Sequence, residues 1–138
     1  MQFYGDFADL TETLFRAGTL TGDLSGIANL VDNETATIAT ALAVNKYAHM
    51  DLGEIHRFKQ FRHYGNTGNA GDGVWQLEIE RPEGWVKWGS PFNTNPVEDW
   101  GSGWIVVSTV YARRIRLICL ALDTSGGTSK INELEVKY

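Results

Sequence analysis

The chain has 138 residues, of which 43% are hydrophobic, so it is long enough for one ordinary core and too short for two. Its net charge of −5 removes the attraction that supplies most non-specific affinity for nucleic acid, which excludes nucleic acid as an expected partner. Cys119 is the single cysteine, so no intramolecular disulfide can form. No apolar run reaches the ~18 residues of a membrane span, and no signal peptide is visible, so we expect a soluble chain without membrane insertion.

The first segment differs from the rest of the chain in its apolar spacing. Its apolar residues recur at roughly helical intervals: Phe7, Leu10, Leu14 and Phe15. We therefore predict a short helix or an N-terminal arm over residues 1–16. One β domain should follow over residues 17–138.

From residue 74 onwards the dominant period is two, as expected of strands with one buried face. In the first of these strands Trp75, Leu77 and Ile79 should face the core, and the polar residues between them should face outwards. Further core strands are predicted at residues 104–111, 114–122 and 134–138. Glycine-rich loops separate the strands at residues 65–73, 89–103 and 123–129. This pattern favours an all-β, antiparallel β-sandwich or jelly roll.

The strand that begins at Arg114 changes character along its length. Arg114 and Arg116 share its outward face, but beyond them the same face turns apolar, at Ile118, Leu120 and Leu122. These apolar residues either meet the opposite sheet after a bulge or form a strip that a second subunit covers. A homo-oligomer or a larger particle assembly is therefore one expected state.

Four short motifs stand in a characteristic order. They are Asn29–Thr37, Asp51–Gly53, Ala112–Leu117 and Ile131–Val136. Their order and spacing resemble the discoidin, or coagulation-factor C-type, branch of the galactose-binding-like β-sandwiches. The resemblance implies that the first and last motifs meet around a structural cation and that the domain binds a ligand without catalysing a reaction. It also implies a connector at residues 54–59 and a strand at residues 60–65, a segment whose own periodicity is ambiguous.

The implied cation is Ca²⁺. The ligands that the resemblance assigns to it are Asp32, Glu34, Thr37 and Glu133. Ca²⁺ binds six to eight oxygens from carboxylates, hydroxyls and carbonyls, which is the chemistry of this set. Asn33 stands where the family has glycine, and Glu34 stands where it has the shorter aspartate. The alternative is a capped turn without metal, in which Asp32 and Thr37 bond nearby backbone amides.

Aromatic residues near glycine-rich loops are the candidates for a ligand site, because an exposed ring can stack on the apolar face of a sugar. Trp100 is the first choice, since its polar and glycine neighbours offer no local cover for a large ring. The further candidates are Trp88 and Tyr64, joined on the strength of the resemblance by His63 and Arg62. For each ring, the alternative is a plug at one end of the sandwich.

No catalytic constellation is visible in the sequence. Gly101–Gly103 lacks the surroundings of a nucleophile elbow, and Gly126–Lys130 lacks the glycine that precedes lysine in a phosphate loop. The histidines are spaced by seven, at His49, His56 and His63, which does not gather them on one strand face as a metal cluster. We therefore expect a protein that is not an enzyme.

The predicted function is a binding module that recognises carbohydrate, or a cell-surface or particle-surface ligand, through the loops of the sandwich. The alternative is a structural accessory protein, such as a decoration or tail component of a phage particle, that uses the same fold for assembly. The expected partner is a glycan or a surface protein, and the expected location is extracellular or on a virion surface. Both alternatives rest on the fold and not on a catalytic signature.

Overall fold

The computed structural model describes residues 7–66, 73–94, 99–124 and 126–138. Within these residues the helices are α1 (Glu12–Ala17) and a 3-10 helix at Ile27–Val31. The strands are β1 (Thr19–Gly22), β2 (Ala39–Ala41), β3 (Tyr47–Tyr64), β4 (Val74–Arg81), β5 (Gly84–Lys87), β6 (Phe92–Asn93), β7 (Ile105–Ala121), β8 (Ser129–Ile131) and β9 (Glu133–Lys137). No helix in this part of the chain is long and apolar enough to cross a membrane.

The strands pair antiparallel, in a main sheet of order β1-β3-β7-β4-β5. β9 adds to the second half of β3, β6 adds to the start of β4, and β2 pairs with β8 in a separate sheet. The prediction of an antiparallel β-sandwich with one short helix is confirmed.

Helix α1 begins where Thr11 caps it, because the Leu14 N–H donates a hydrogen bond to Thr11 Oγ1 at 3.2 Å. The helix ends at Gly18 after six residues. Leu10 and Phe15 are buried in the common core, so residues 7–17 pack against the β domain. The prediction of a short helix is confirmed for this part of the segment, residues 1–6 lie outside the described residues, and the boundary at residue 16 stays a prediction.

β3 is one strand of eighteen residues, where the sequence predicted a connector at residues 54–59 and a strand from residue 60. Its pairing with β7 shifts register between Asp51 and His56, which marks an irregularity and not the end of the strand. Gly53 lies at φ 84° within this shift. A bulge adds residues without ending the ladder, and its loss of alternation resembles a connector in the sequence. The predicted connector is therefore wrong.

β7 is likewise one strand of seventeen residues and unites the predicted strands at residues 104–111 and 114–122. At its far end Ile118 and Leu122 are half-buried, whereas Leu120 is exposed. This difference favours packing within the chain for most of the apolar strip, and a second subunit that covers the strip stays a prediction.

The core lies where periodicity placed it. Trp75, Leu77 and Ile79 are buried on one face of β4, as predicted. Gln76 was expected on the outward face but is also fully buried, and its amide donates hydrogen bonds to the carbonyl oxygens of Leu77 (2.8 Å) and Gly89 (3.0 Å). The N–H donors of this buried amide are satisfied, whereas its Oε1 has no hydrogen-bond partner among the described residues.

The outward faces of β4 and β7 carry paired charges. Arg116 donates to Glu78 Oε1 at 2.9 Å from Nε, and its guanidinium lies 4.6 Å from the centre of the Trp85 ring. Arg114 donates to Glu80 Oε1 at 2.8 Å. The predicted polar face of these strands is therefore a ladder of cross-strand ion pairs.

Candidate functional site

The front loop and the last strand meet, as the resemblance implied. The Asn33 N–H donates to Glu133 Oε2 at 3.0 Å across 100 positions of sequence. Asn33 lies at φ 63°, in the left-handed region that asparagine tolerates better than most residues. Asparagine therefore takes the conformational role of the glycine that the family has at this position.

Within the loop, Asp32 organises a tight turn. Its Oδ1 accepts the Glu34 N–H at 2.9 Å, and its Oδ2 accepts the Thr37 hydroxyl at 2.6 Å. The Thr37 Oγ1 also lies 3.0 Å from the Glu34 carbonyl oxygen. Glu34 takes part in this turn through its backbone N–H and its carbonyl oxygen. Of the four assigned ligands, the side chains of Asp32, Thr37 and Glu133 lie together.

Glu133 is the buried member of this set, with a side chain that is 1% exposed. Burial raises its pKa to about 8; the hydrogen bond from the Asn33 N–H opposes that rise and the nearby Asp32 carboxylate adds to it. Its Oε1 has no hydrogen-bond partner among the described residues. Two carboxylates, a hydroxyl and loop carbonyls form an oxygen set of the kind that Ca²⁺ binds. In the described part of the chain, however, no three or more acidic, histidine or cysteine side chains form a group suited to a metal.

Trp100 lies in a cluster of rings and cations on one face of β3. Arg62 and Tyr64 are two apart on that strand and so share a face. The Arg62 guanidinium lies 3.9 Å from the centre of the Trp100 ring and 4.7 Å from that of Trp104, and Tyr64 meets Trp100 edge to face at 5.3 Å. We call Arg62, Tyr64, Trp100 and Trp104 the Trp100 cluster. Three of its four members were predicted site residues.

A glycine turn brings the two tryptophans of the cluster together. Gly101 and Gly103 have φ of 59° and 74°, and the Gly103 N–H donates to the Trp100 carbonyl oxygen at 3.0 Å. Trp104 was missed as a site residue because it also reads as the start of a strand. The signal that could have found it is its spacing from Trp100 across two glycines.

Arg62 is fixed from below by Glu135, its cross-strand neighbour on β9. Glu135 is 1% exposed, and its Oε1 accepts from Arg62 Nε and Nη2 at 2.5 Å each. Its other oxygen pairs with Arg16 of α1. One buried carboxylate is shared between the two guanidiniums, so Glu135 fixes Arg62 beneath the rings and occupies two of its N–H groups.

A small polar cavity of about 220 Å³ adjoins the cluster and shares Tyr64 with it. Asn66 Nδ2 donates to Asn132 Oδ1 at 3.1 Å, and Asn132 Nδ2 donates to the Thr35 carbonyl oxygen at 2.7 Å. The lining side chains include no ionisable group other than the Tyr64 phenol. Both asparagines were missed from the sequence, because they meet only through the pairing of β3 and β9.

Two predicted ligand residues do not join the cluster. Trp88 is 2% exposed, its indole N–H donates to the Ser108 carbonyl oxygen at 2.9 Å, and it packs edge to face with Phe58 at 5.0 Å. Its assignment as a ligand contact is therefore corrected to that of a core residue. His63 lies on the opposite face of β3 from Arg62 and stacks on Phe92 at 4.5 Å.

Burial lowers the pKa of His63 to about 4, so the ring is neutral at physiological pH. A neutral imidazole packed between apolar rings belongs to the core side of β3. Its predicted place beside Arg62 at a ligand rim is also corrected, because alternate residues of a strand point to opposite faces.

No protein-family model matches the sequence, and no curated protein matches it. Solved structures do match. A family 32 carbohydrate-binding module of AlyQ, in complex with 4,5-unsaturated mannuronic acid, has 16% identity and a TM-score of 0.70 over 87% of this chain and 93% of that chain. The family 32 module from Clostridium perfringens NanJ, in complex with galactose, has 14% identity and a TM-score of 0.65 over 95% and 98%.

A third match is the module CpGH89CBM32-5 from Clostridium perfringens, in complex with GalNAc-β-1,3-galactose. It has 17% identity and a TM-score of 0.67 over 89% of this chain and 97% of that chain. At these identities the likeness shows the fold, which is the galactose-binding-like β-sandwich. The discoidin branch within that fold stays a prediction.

Proposed function

We propose that the protein is a non-catalytic carbohydrate-binding module that holds a sugar against the Trp100 cluster and the adjoining polar cavity. The observation that carries the proposal is the half-buried Trp100 ring, set edge to face against Tyr64 beside a cavity lined by amides. An aromatic surface next to a few fixed polar groups is what a pyranose needs, because it has apolar faces and a hydroxylated rim.

The chemistry of the cavity favours a neutral sugar. Asn66 and Asn132 each use one amide N–H within the protein and retain further donor and acceptor capacity for hydroxyls. Arg62 is already bound to Glu135, and the Lys137 ammonium lies 4.2 Å from the centre of the Trp104 ring, so each of these cations has a partner within the protein. A galactose-type or related neutral residue is therefore the class of ligand that we assign to this site.

Two observations support binding without catalysis. The nearby carboxylates Glu133 and Glu135 are buried beneath the cluster, and Glu135 is held between two guanidiniums. The similar structures are carbohydrate-binding modules by their descriptions, which favours the same class for this fold. They give no support to the alternative of a phage decoration or tail component.

The test is a binding titration with galactose and GalNAc-β-1,3-galactose on two matched variants. Trp100→Ala should weaken binding by about 1 to 3 kcal/mol, roughly fivefold to a hundredfold, and should change the melting temperature little. Trp85→Ala is the control, because Trp85 is also half-buried and also lies against a guanidinium, that of Arg116 at 4.6 Å. The control should bind like the parent chain.

Two results would contradict the proposal. One is a parent chain that binds no member of a neutral glycan panel. The other is a Trp100→Ala variant that loses folding stability and keeps its affinity, since the ring would then be a plug of the sandwich.

A further inference from the structure

A second concave surface lies at the β4–β5 hairpin, away from the Trp100 cluster. It is a groove of about 680 Å³, formed where β7 passes the hairpin and the bulge of β3. Ile55 on its rim is seven residues before Arg62, or roughly 20 Å along β3 at ~3.3 Å per residue. The volume is in the range of pockets that bind small molecules. We call this surface the hairpin groove.

The polar side of the hairpin groove is cationic. Arg81, Arg113 and Arg114 line it, together with one carboxylate, that of Glu80. Asp51 lies behind them, where it accepts from Arg113 Nε at 2.9 Å and from Arg114 Nε at 3.3 Å. Three guanidiniums therefore face two carboxylates, which leaves one local positive charge in a chain whose net charge is −5.

Arg81 carries that unbalanced charge. Its Nη1 donates to the carbonyl oxygens of Tyr111 at 2.9 Å and Glu80 at 3.3 Å, and no carboxylate of the described residues lies within 4.0 Å of its nitrogens. Carbonyl bonds hold the guanidinium in place without neutralising it. Arg113, whose side chain is 48% exposed, lines the same groove; Asp51 accepts from its Nε at 2.9 Å and from one Nη at 3.2 Å, which leaves its other N–H donors for a ligand.

The groove lining also contains apolar residues. Ile55, which is 40% exposed, lines it with Pro82 and Val110, and Tyr111 adds an aromatic ring. A ligand that matches both the cationic and the apolar lining needs an apolar face and an acid group on the same small unit. Sugar acids have this combination, because a pyranose ring has an apolar face and a uronate carries its carboxylate on that ring.

We propose that the hairpin groove is a second binding site, for a carboxylate-bearing saccharide of the hexuronate class, with the carboxylate on Arg81 and Arg113 and the ring against Ile55 and Tyr111. A guanidinium presents paired N–H donors that match the two oxygens of a carboxylate. The site does not depend on the function proposed for the Trp100 cluster, since the two surfaces share no residue.

The direct experiment is a ¹⁵N-resolved NMR titration with tri-galacturonate and, as a neutral probe of the same shape, with its methyl ester. The acid should shift the amide signals of residues 80–81 and 109–114 and leave those of residues 62–64 and 99–104 in place. The ester should leave the signals of the groove residues in place at the same concentration. Raising the salt concentration should weaken the binding of the acid, because a partly exposed ion pair is screened.

Variants then test the residues. Arg81→Gln keeps an amide donor for the two carbonyl oxygens and removes the charge, so it should weaken the acid at least fivefold. Arg113→Gln should weaken it similarly. Trp100→Ala should leave the acid unaffected while it weakens neutral sugars. This last comparison separates the two proposals, because either site can fail while the other stands.

Several outcomes would overturn the proposal. They are no signal shifts at millimolar tri-galacturonate, equal shifts with the acid and its methyl ester, shifts that centre on residues 62–64, and full affinity in Arg81→Gln. The NMR titration uses the parent chain, so it can contradict the proposal even if a variant fails to fold.

Discussion

The Trp100 cluster and the hairpin groove both contain guanidiniums, but the two regions use them differently. Arg62 in the cluster shares the buried carboxylate of Glu135 with Arg16, so a carboxylate of the protein already occupies two of its N–H groups. Arg81 in the groove has only carbonyl partners among the described residues. A paired guanidinium orders its neighbours, whereas an unbalanced one remains available to a ligand.

The difference follows from burial. Beneath the cluster, Glu135 is removed from water, and a charge taken out of water must be paired. At the groove, the side chains of Asp51, Glu80 and Arg114 keep between a quarter and two fifths of their exposure, so incomplete pairing costs little. The sugar site proposed for the first region therefore relies on rings and amides, and the second region is suited to an acid group.

The largest expected effect tests this difference in burial. Glu135→Gln leaves Arg16 and Arg62 without their shared carboxylate, and breaking a buried pair from one side costs about 3 to 5 kcal/mol. Glu80→Gln is the matched change at the groove, where a partly exposed pair contributes about 1 kcal/mol or less. Urea unfolding of both variants measures the two costs. Equal losses would mean that the two sets of ion pairs do not differ as described.

Acid should weaken the packing on the core side of β3 through His63. Its pKa is about 4 in the folded chain against an ordinary 6.5, so the unfolded chain takes up the proton first as the pH falls. The contribution to the free energy of unfolding is complete above about pH 6.5 and is lost towards pH 4. The loss should reach about 3 kcal/mol at most.

His63→Phe keeps a ring against Phe92 and removes the titration. Its free energy of unfolding should therefore depend less on pH between 4 and 6.5 than that of the parent chain. Denaturant curves at several pH values give the comparison. The same slope in both proteins would show that another group causes the acid sensitivity.

Local sequence patterns predicted the parts of the fold that local patterns determine. The alternation in β4 located Trp75, Leu77 and Ile79 in the core because a strand with one buried face has a period of two. The polar and glycine neighbours of Trp100 predicted a ring without local cover, and it is half-buried in the isolated chain. The connector before residue 60 was wrong because a bulge and a connector interrupt that period in the same way.

Contacts between distant segments could not be read from the sequence. Trp88 is buried by Phe58 and bonded to the carbonyl oxygen of Ser108, thirty and twenty positions away, so its neighbours gave no signal of burial. Asn66 and Asn132 meet through the register of β3 and β9, which periodicity does not specify. The hairpin groove was missed for the same reason, since its arginines come from two strands.

The smallest expected effect concerns the front loop beside the cluster, where a Ca²⁺ site and a capped turn make different predictions. We propose that Ca²⁺ binds the oxygens of Asp32, Thr37 and Glu133, the last of which has an orphaned Oε1. Ca²⁺ should then raise the melting temperature by mass action, and EDTA should reverse the gain. Asp32→Ala should abolish this response.

If the loop is only a capped turn, Asp32→Ala should lower the free energy of unfolding by about 1 kcal/mol in Ca²⁺ and in EDTA alike. Asp23→Ala is the matched control, because Asp23 also accepts a backbone N–H, that of Tyr47 at 2.8 Å, and lies outside the proposed ligand set. Its cost should be similar, and its response to Ca²⁺ should equal that of the parent chain. If the melting curves of the parent chain with and without Ca²⁺ coincide, the Ca²⁺ proposal is wrong and the loop is a capped turn. The hydrogen bonds that Asp32 accepts from Glu34 and Thr37 then close the loop without an ion.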